Sequence, residues 1–135
     1  MKKFRNILAT IAGLVIGSIA NMALIMVSGK IIPLPKGVDN TTEEGIKAGM
    51  HLLEPQHFIF PFLAHAFGTF VGAFVATKLS FPKKSTPAFI IGLLFLIGGI
   101  TMVVKLPESP YWFSGIDLIF AYIPMAYIGY LLGKK

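Results

Sequence analysis

Residues 7–28 read ILATIAGLVIGSIANMALIMVS, and this uncharged run decides the fold class. At about 1.5 Å of rise per residue, a helix of this length crosses a hydrocarbon core about 30 Å thick. Three further apolar runs of 18 to 21 residues follow, at 57–77, 87–104 and 114–132. Since these runs are apolar on every face, they exclude the alternating strands of a transmembrane barrel. The sequence predicts an all-α integral membrane protein, a bundle of four helices.

The composition supports a membrane protein and limits its chemistry. Of the 135 residues, 55% are hydrophobic and only 13% are charged, against about 25% charged in an average soluble domain. The length predicts a single transmembrane domain over residues 1–135. The absence of cysteine excludes disulfides, iron–sulfur clusters and thiolate chemistry.

The distribution of basic residues predicts the orientation in the membrane. Eight Lys and Arg residues share one side, against four on the other, and this bias places both termini in the cytoplasm. The eight are Lys2, Lys3, Arg5, Lys78, Lys83, Lys84, Lys134 and Lys135, and the four are Lys30, Lys36, Lys47 and Lys105. We expect a multi-pass protein of the bacterial cytoplasmic membrane whose first span is a retained anchor, because its apolar run is too long for a signal peptide. The net charge of +6 is then a topology signal, which makes the lipid bilayer the expected partner and argues against nucleic-acid binding.

The outer loop, residues 29–56, is predicted to contain one short helix. Asp39 or Thr41 is the expected N-cap, and Thr41 stands three residues before Glu44 in capping-box spacing. An apolar face follows, made of Ile46, Met50 and Leu53. We therefore expect this helix to lie on the outer membrane surface, with Pro55 ending it before the second span.

Small residues recur at four-residue spacing along the spans. Because lipid offers little hydrophobic drive between helices, close approach at such residues drives their association. The expected packing residues are Gly13, Gly17, Gly68, Gly72 and Gly129. This pattern fits packing within one bundle and also homo-oligomerisation.

Polar residues at membrane depth form the candidate ligand site. Asn21, His65 and Asp117 all fall in the outer half of their spans, as do Thr101 and Lys105. Residues of this type usually face protein or water and often mark function. If they converge, they form a polar cavity that opens to the extracytoplasmic side. The alternative is structural, with Asp117 paired to Lys105 or capping its helix and His65 bonded to Asn21 or a backbone carbonyl.

A proline within the fourth span adds a predicted kink. Pro124 has no N–H to donate, which frees the carbonyl of Phe120, one turn from Asp117. A kink at this point would widen the bundle beside the polar residues.

A metal site at the outer boundary is the weaker hypothesis. His51, Glu54 and His57 have side chains that zinc or iron accepts, at three-residue steps. Pro55 interrupts any continuous helix there, so surface histidines are the alternative. No nucleophile elbow or phosphate loop is present, and we therefore predict no catalytic residue and no cofactor.

Three segments resemble a known family. They are residues 33–39 (PLPKGVD), residues 65–73 (HAFGTFVGA), and the run from Asp117 through residues 121–125 (AYIPM). Together they are similar to a family of small bacterial four-span inner-membrane proteins that has no assigned activity. The resemblance extends over nearly the whole chain, and it implies the fold but no reaction.

Two main function classes follow from these features, and a membrane enzyme ranks third behind them. The first is a non-enzymatic accessory subunit of a larger membrane complex, or a self-associating bundle, acting through its small-residue faces. The second is a transporter or binder of a small ligand or cation, acting through Asn21, His65 and Asp117.

Overall fold

A computed structural model describes residues 2–82 and 84–135. Met1 and Lys83 lie outside the described residues. The predicted cytoplasmic side of Lys83 is therefore a prediction about a residue that the structure does not describe. Within the described ranges the chain is all helical with no strands, which confirms the predicted class. Four helical segments there are long and apolar enough to cross a membrane: Lys2–Ile31, Pro55–Leu79, Ser85–Lys105 and Tyr111–Gly133.

Two of the helices, Lys2–Ile31 and Ser85–Lys105, are longer than the apolar runs that predicted them. They are α1 (Lys2–Ile31), α2 (Glu43–Gly49), α3 (Ile59–Leu79), α4 (Ser85–Lys105), α5 (Tyr111–Phe120) and α6 (Ile123–Gly133). Short 3-10 turns occupy Met50–Leu52 and Pro55–Phe58. In α1 and α4 the helix continues into the polar flanks of the apolar run, so hydropathy alone underestimates the length of these two helices.

The predicted fourth span is two helices rather than one. Helix α5 ends at Phe120 and α6 begins at Ile123, with Pro124 in its first turn. Proline is favoured there because the first N–H groups of a helix have no partner within it. The predicted kink is therefore a complete break at Ala121 and Tyr122.

Helix α3 packs against α1 through glycines on both helices. A Cβ atom added at Gly17 would lie 2.6 Å from the carbonyl oxygen of Gly68, and one added at Gly72 would lie 2.8 Å from the oxygen of Gly13. The backbones approach too closely for any larger residue. Since Gly13 meets Gly72 and Gly17 meets Gly68, the two helices are antiparallel.

The opposite side of α3 receives α6. A Cβ atom at Gly129 would lie 2.6 Å from the oxygen of Phe70, and one at Gly133 would lie 2.8 Å from the Cβ of Thr77. These contacts make α3 and α6 parallel. Both chain ends therefore lie on one side of the molecule, called here the terminal side, and the opposite side is called the loop side.

The loop helix differs from its prediction in its N-cap. Thr42 is the N-cap, and its hydroxyl accepts a hydrogen bond from the Gly45 amide at 2.9 Å. Thr41 instead donates from its amide and hydroxyl to Asp39, and these bonds lower the pKa of the Asp39 carboxyl. The expected caps, Asp39 and Thr41, were thus wrong by one to three residues, because these two side chains satisfy each other.

The apolar face of the loop helix turns toward the protein. Met50 is buried in a cluster with Phe58 and Leu106, and Ile46 and Leu53 pack against it. The apolar partner of this face is therefore protein, and the position of the helix at the outer membrane surface stays a prediction. The ends of α3 and α4 present apolar side chains that the loop helix covers.

The outward faces of the long helices remain apolar. Ile19 is 62% exposed and Met26 is 73% exposed, both on α1. Exposed apolar patches of this kind mark a surface that meets another apolar phase. Lipid is the phase that such helices require.

Candidate ligand-binding site

Asp117 is the centre of a polar cluster at membrane depth. Its carboxylate is buried, with 4% of the residue exposed. One oxygen, Oδ1, lies 2.8 Å from Nδ1 of His65, and Oδ2 accepts a hydrogen bond from the Tyr122 hydroxyl at 2.9 Å. A buried charge requires partners of this kind, since an unpaired one is strongly disfavoured. The two side chains satisfy the carboxylate on both oxygens.

These contacts define which atoms of His65 remain available. An ionised carboxylate only accepts, so Nδ1 of His65 carries the proton in this pair. In the neutral imidazole, Nε2 is then an acceptor. The His65 side chain is 30% exposed, and its ring stacks on Tyr122 with centroids 5.8 Å apart. The imidazole is therefore held in one orientation with one nitrogen free of the pair.

The break in the fourth span brings Tyr122 to Asp117. Residues three or four apart share a face of a helix, whereas residues five apart do not. Because the helix stops at Phe120, Tyr122 turns inward and is only 2% exposed. Gly99 on α4 leaves room for the ring, since a Cβ there would lie 2.6 Å from the Tyr122 hydroxyl.

A cavity of about 530 Å³ lies above this cluster. Asn21, His65 and Asp117 all line it, so the structure brings the three predicted ligand-binding residues together. Its volume falls in the range of about 300–1,000 Å³ that small-molecule sites occupy. We call this cavity the chamber.

The chamber walls are largely apolar, whereas a polar cavity was expected. α1 contributes Ile25, α4 contributes Phe95 and Met102, and the loop covers the chamber with Ile46 and Leu53. The end at membrane depth, called here the deep end, carries Asn21, His65, Asp117 and Tyr122. On the loop side the lining includes further polar residues: Ser28, Asn40, Gln56, His57 and Ser109. An apolar enclosure with a few convergent polar groups is the usual form of a small-ligand site.

Asn21 adds an unsatisfied polar atom to the deep end of the chamber. Among residues 2–82 and 84–135, no donor bonds to its buried Oδ1. Leaving a buried acceptor unpaired costs about 1–3 kcal/mol. The structural alternative for His65, a hydrogen bond to Asn21, is therefore not what the described residues form.

Two other polar residues of the predicted outer half lie outside the chamber lining. Thr101 donates its hydroxyl to the Ile97 carbonyl of its own helix at 2.8 Å. Lys105 lies 3.5 Å from the carboxylate of Glu43, where both side chains are about half exposed. The alternative pairing of Asp117 with Lys105 is therefore wrong, because Lys105 belongs to the loop side.

The three residues predicted for a metal site do not form one. The Glu54 amide donates to Nδ1 of His57 at 2.8 Å, and Gln56 donates to the Glu54 carboxylate at 2.7 Å. These contacts hold the turn before α3. Within the described ranges, no group of three His, Asp or Glu side chains is placed to hold a metal ion. Of the three residues, His57 also lines the chamber.

Sequence reasoning missed Tyr122, Gly98 and Gly99. Tyr122 stands two residues before Pro124, so a full helix break at this proline was the available signal. The two glycines lie on α4 and also line the chamber. Gly98 has no atom within 4 Å of an added Cβ, which shows open space beside it.

Comparison with known proteins gives no relative. No family model, curated protein or solved structure matches the chain. The family resemblance therefore stays a prediction.

Proposed function

We propose that this protein is a membrane-embedded receptor or carrier for a small amphiphilic ligand, which it holds in the chamber. The observation that supports this most strongly is the His65–Asp117–Tyr122 hydrogen-bonded group at the deep end of an apolar cavity. Such a group is costly at membrane depth unless it is paired, and residues of this kind usually mark a pathway or a ligand site. No covalent chemistry is part of the proposal.

The glycine faces favour this function over a self-associating bundle or accessory subunit. The glycines at positions 13 and 17 meet α3, and those at 129 and 133 also meet α3. These close contacts are made within one chain. They therefore supply no free surface for a second copy.

The proposal includes an orientation. The four spans form one bundle in the bacterial cytoplasmic membrane, with the terminal side facing the cytoplasm. The eight-to-four bias of Lys and Arg supports this arrangement. The chamber then lies in the outer half of the membrane, with the loop between it and the extracytoplasmic space.

The loop gives the ligand a route of entry. Residues of the loop cover the chamber through apolar contacts, and the ion pair between Lys105 and Glu43 at 3.5 Å ties α2 to α4. Exposed ion pairs contribute only about 0–1 kcal/mol. Opening this cover breaks the ion pair and separates the apolar contacts of Met50 with Phe58 and Leu106, whereas the glycine contacts between the long helices stay in place.

The test uses Gly98, which lines the chamber beside open space. Gly98→Leu adds a bulky side chain at a lining position where an added Cβ meets nothing within 4 Å. Gly115→Leu is the matched control, because an added Cβ there also meets nothing within 4 Å, but Gly115 does not line the chamber. The three proteins are placed in lipid nanodiscs and titrated with decanol and with decylamine. A bound ligand raises the melting temperature saturably.

We expect saturable stabilisation of the wild type and of Gly115→Leu by at least one probe, and its loss in Gly98→Leu. Equal responses of all three proteins would show partition into the bilayer alone. That result, or no response from the wild type, would contradict the proposed function.

A further inference from the structure

We infer that the chamber selects a single-chain amphiphile with a cationic ammonium head, an inference that rests on the proposed function. The apolar walls select the hydrocarbon chain of the ligand, and the deep end of the chamber selects its head group. Three features of the deep end indicate this ligand class. They are the carboxylate, the free hydrogen-bond acceptors, and a described lining without Lys or Arg.

The charge at the deep end is negative. Asp117 is the carboxylate among the described lining residues, and no Lys or Arg is among them. The partners of this carboxylate are His65 and Tyr122, and no permanently cationic side chain of the described lining faces it. In a medium of low dielectric such a charge attracts a cation strongly and repels an anion.

Nearby basic residues do not cancel this charge. Lys105 is bound to Glu43 on the loop side, half exposed to its surroundings. His57 lines the chamber, but its Nδ1 accepts the Glu54 amide and belongs to the turn before α3. The other titratable group against Asp117 is Tyr122, whose hydroxyl donates to it.

Two free acceptors lie at the deep end. Nε2 of His65 is available once Nδ1 donates to Asp117, and the buried oxygen of Asn21 is unpaired within the described residues. A primary ammonium has three donors and no acceptor. Its hydrogen-bonding character is therefore complementary to the two acceptors, and its charge is complementary to the carboxylate.

The same features disfavour a phospholipid in this chamber. A phosphate is held by Arg, Lys or a set of backbone N–H groups. The described lining residues supply neither guanidinium nor ammonium. An amine head meets the carboxylate and the two acceptors at the deep end without bringing in an anion, and its single chain lies along the apolar walls.

The experiment compares three probes that share one chain length: decylamine, decanol and decyl sulfate. Each is titrated into the wild type, Asp117→Asn and Gly98→Leu in nanodiscs of zwitterionic lipid at neutral pH. The apparent Kd of each probe comes from its saturable stabilisation. Gly98→Leu, in which the chamber is obstructed, measures the change in melting temperature that partition of each probe into the bilayer causes.

We expect the wild type to bind decylamine at least about ten-fold more tightly than decanol, and to show no saturable response to decyl sulfate. In Asp117→Asn this preference falls to near unity while decanol still binds. The wild-type ranking tests the inference even if Asp117→Asn does not fold.

The outcomes separate the two proposals. If Gly98→Leu abolishes binding but the wild type prefers decanol or decyl sulfate, the chamber is a ligand site and the cationic class is wrong. The cationic class is also wrong if Asp117→Asn keeps the full preference for the amine. If Gly98→Leu responds like the wild type to every probe, the proposed function itself fails.

Discussion

His65 and Asp117 lie 52 positions apart in the chain, yet their Nδ1 and Oδ1 atoms are 2.8 Å apart. They belong to different spans, α3 and α5, and each lies about 9 Å from the loop-side end of its helix. The pair therefore fixes the relative depth of two spans. It also leaves one imidazole nitrogen available beside the chamber.

Gly99 and its neighbour Gly98 give a matched test of the Tyr122 position. Gly99→Ala would place a Cβ 2.6 Å from the Tyr122 hydroxyl, whereas Gly98→Ala meets nothing within 4 Å. We expect Gly99→Ala to lower stability by about 1–3 kcal/mol through overpacking. Gly98→Ala should be neutral or stabilising by up to about 1 kcal/mol, because alanine favours helix. Unfolding in nanodiscs measures both, and equal effects of the two would contradict the assigned position of Tyr122.

Gly72 tests the close contact between α1 and α3. Its added Cβ would lie 2.8 Å from the Gly13 oxygen and 3.1 Å from the Cγ2 of Ile91. Gly72→Leu should therefore destabilise the protein by about 1–3 kcal/mol or more. Gly115→Leu, which enters open space, is the control. A Gly72→Leu protein as stable as the control would show that this face of α3 meets lipid.

Substitution of Asn21 tests whether its unpaired oxygen lowers the stability of the fold while contributing to ligand binding. Asn21→Leu removes the unpaired buried oxygen, so we expect stability to be unchanged or to rise by about 1–3 kcal/mol. Binding of decylamine should weaken at the same time. Opposite changes in melting temperature and affinity indicate a ligand-binding role. Lower stability with unchanged affinity would instead indicate a structural role.

Cysteine labelling tests the orientation, and the chain has no native cysteine to interfere. Lys36 lies in the loop and Lys134 near the C-terminus, and both are exposed. In intact cells, an impermeant thiol reagent should label Lys36→Cys and should label Lys134→Cys only after the membrane is opened. Labelling of both in intact cells would contradict the proposed topology.

The sequence predicted the spans well and the local geometry less well. An uncharged run such as 7–28 determines a spanning helix by length alone. The charge bias then predicts the orientation of the spans, and with it that Asn21, His65 and Asp117 share the outer half of the membrane. Tyr122 was missed because its contact with Asp117 depends on a complete helix break. The walls of the chamber were missed because the loop helix turns its apolar face inward, and amphipathicity does not distinguish lipid from protein as the apolar partner.

The most direct measurement of the central claim is an experimental structure of the protein in lipid with 10-bromodecylamine, whose bromine marks the end of the apolar chain. We predict a bromine peak inside the chamber, with the ammonium head beside His65 and Asp117. Bromine found only along the outward faces of α1 and α4, in lipid, with the chamber free of the amine, would contradict the account.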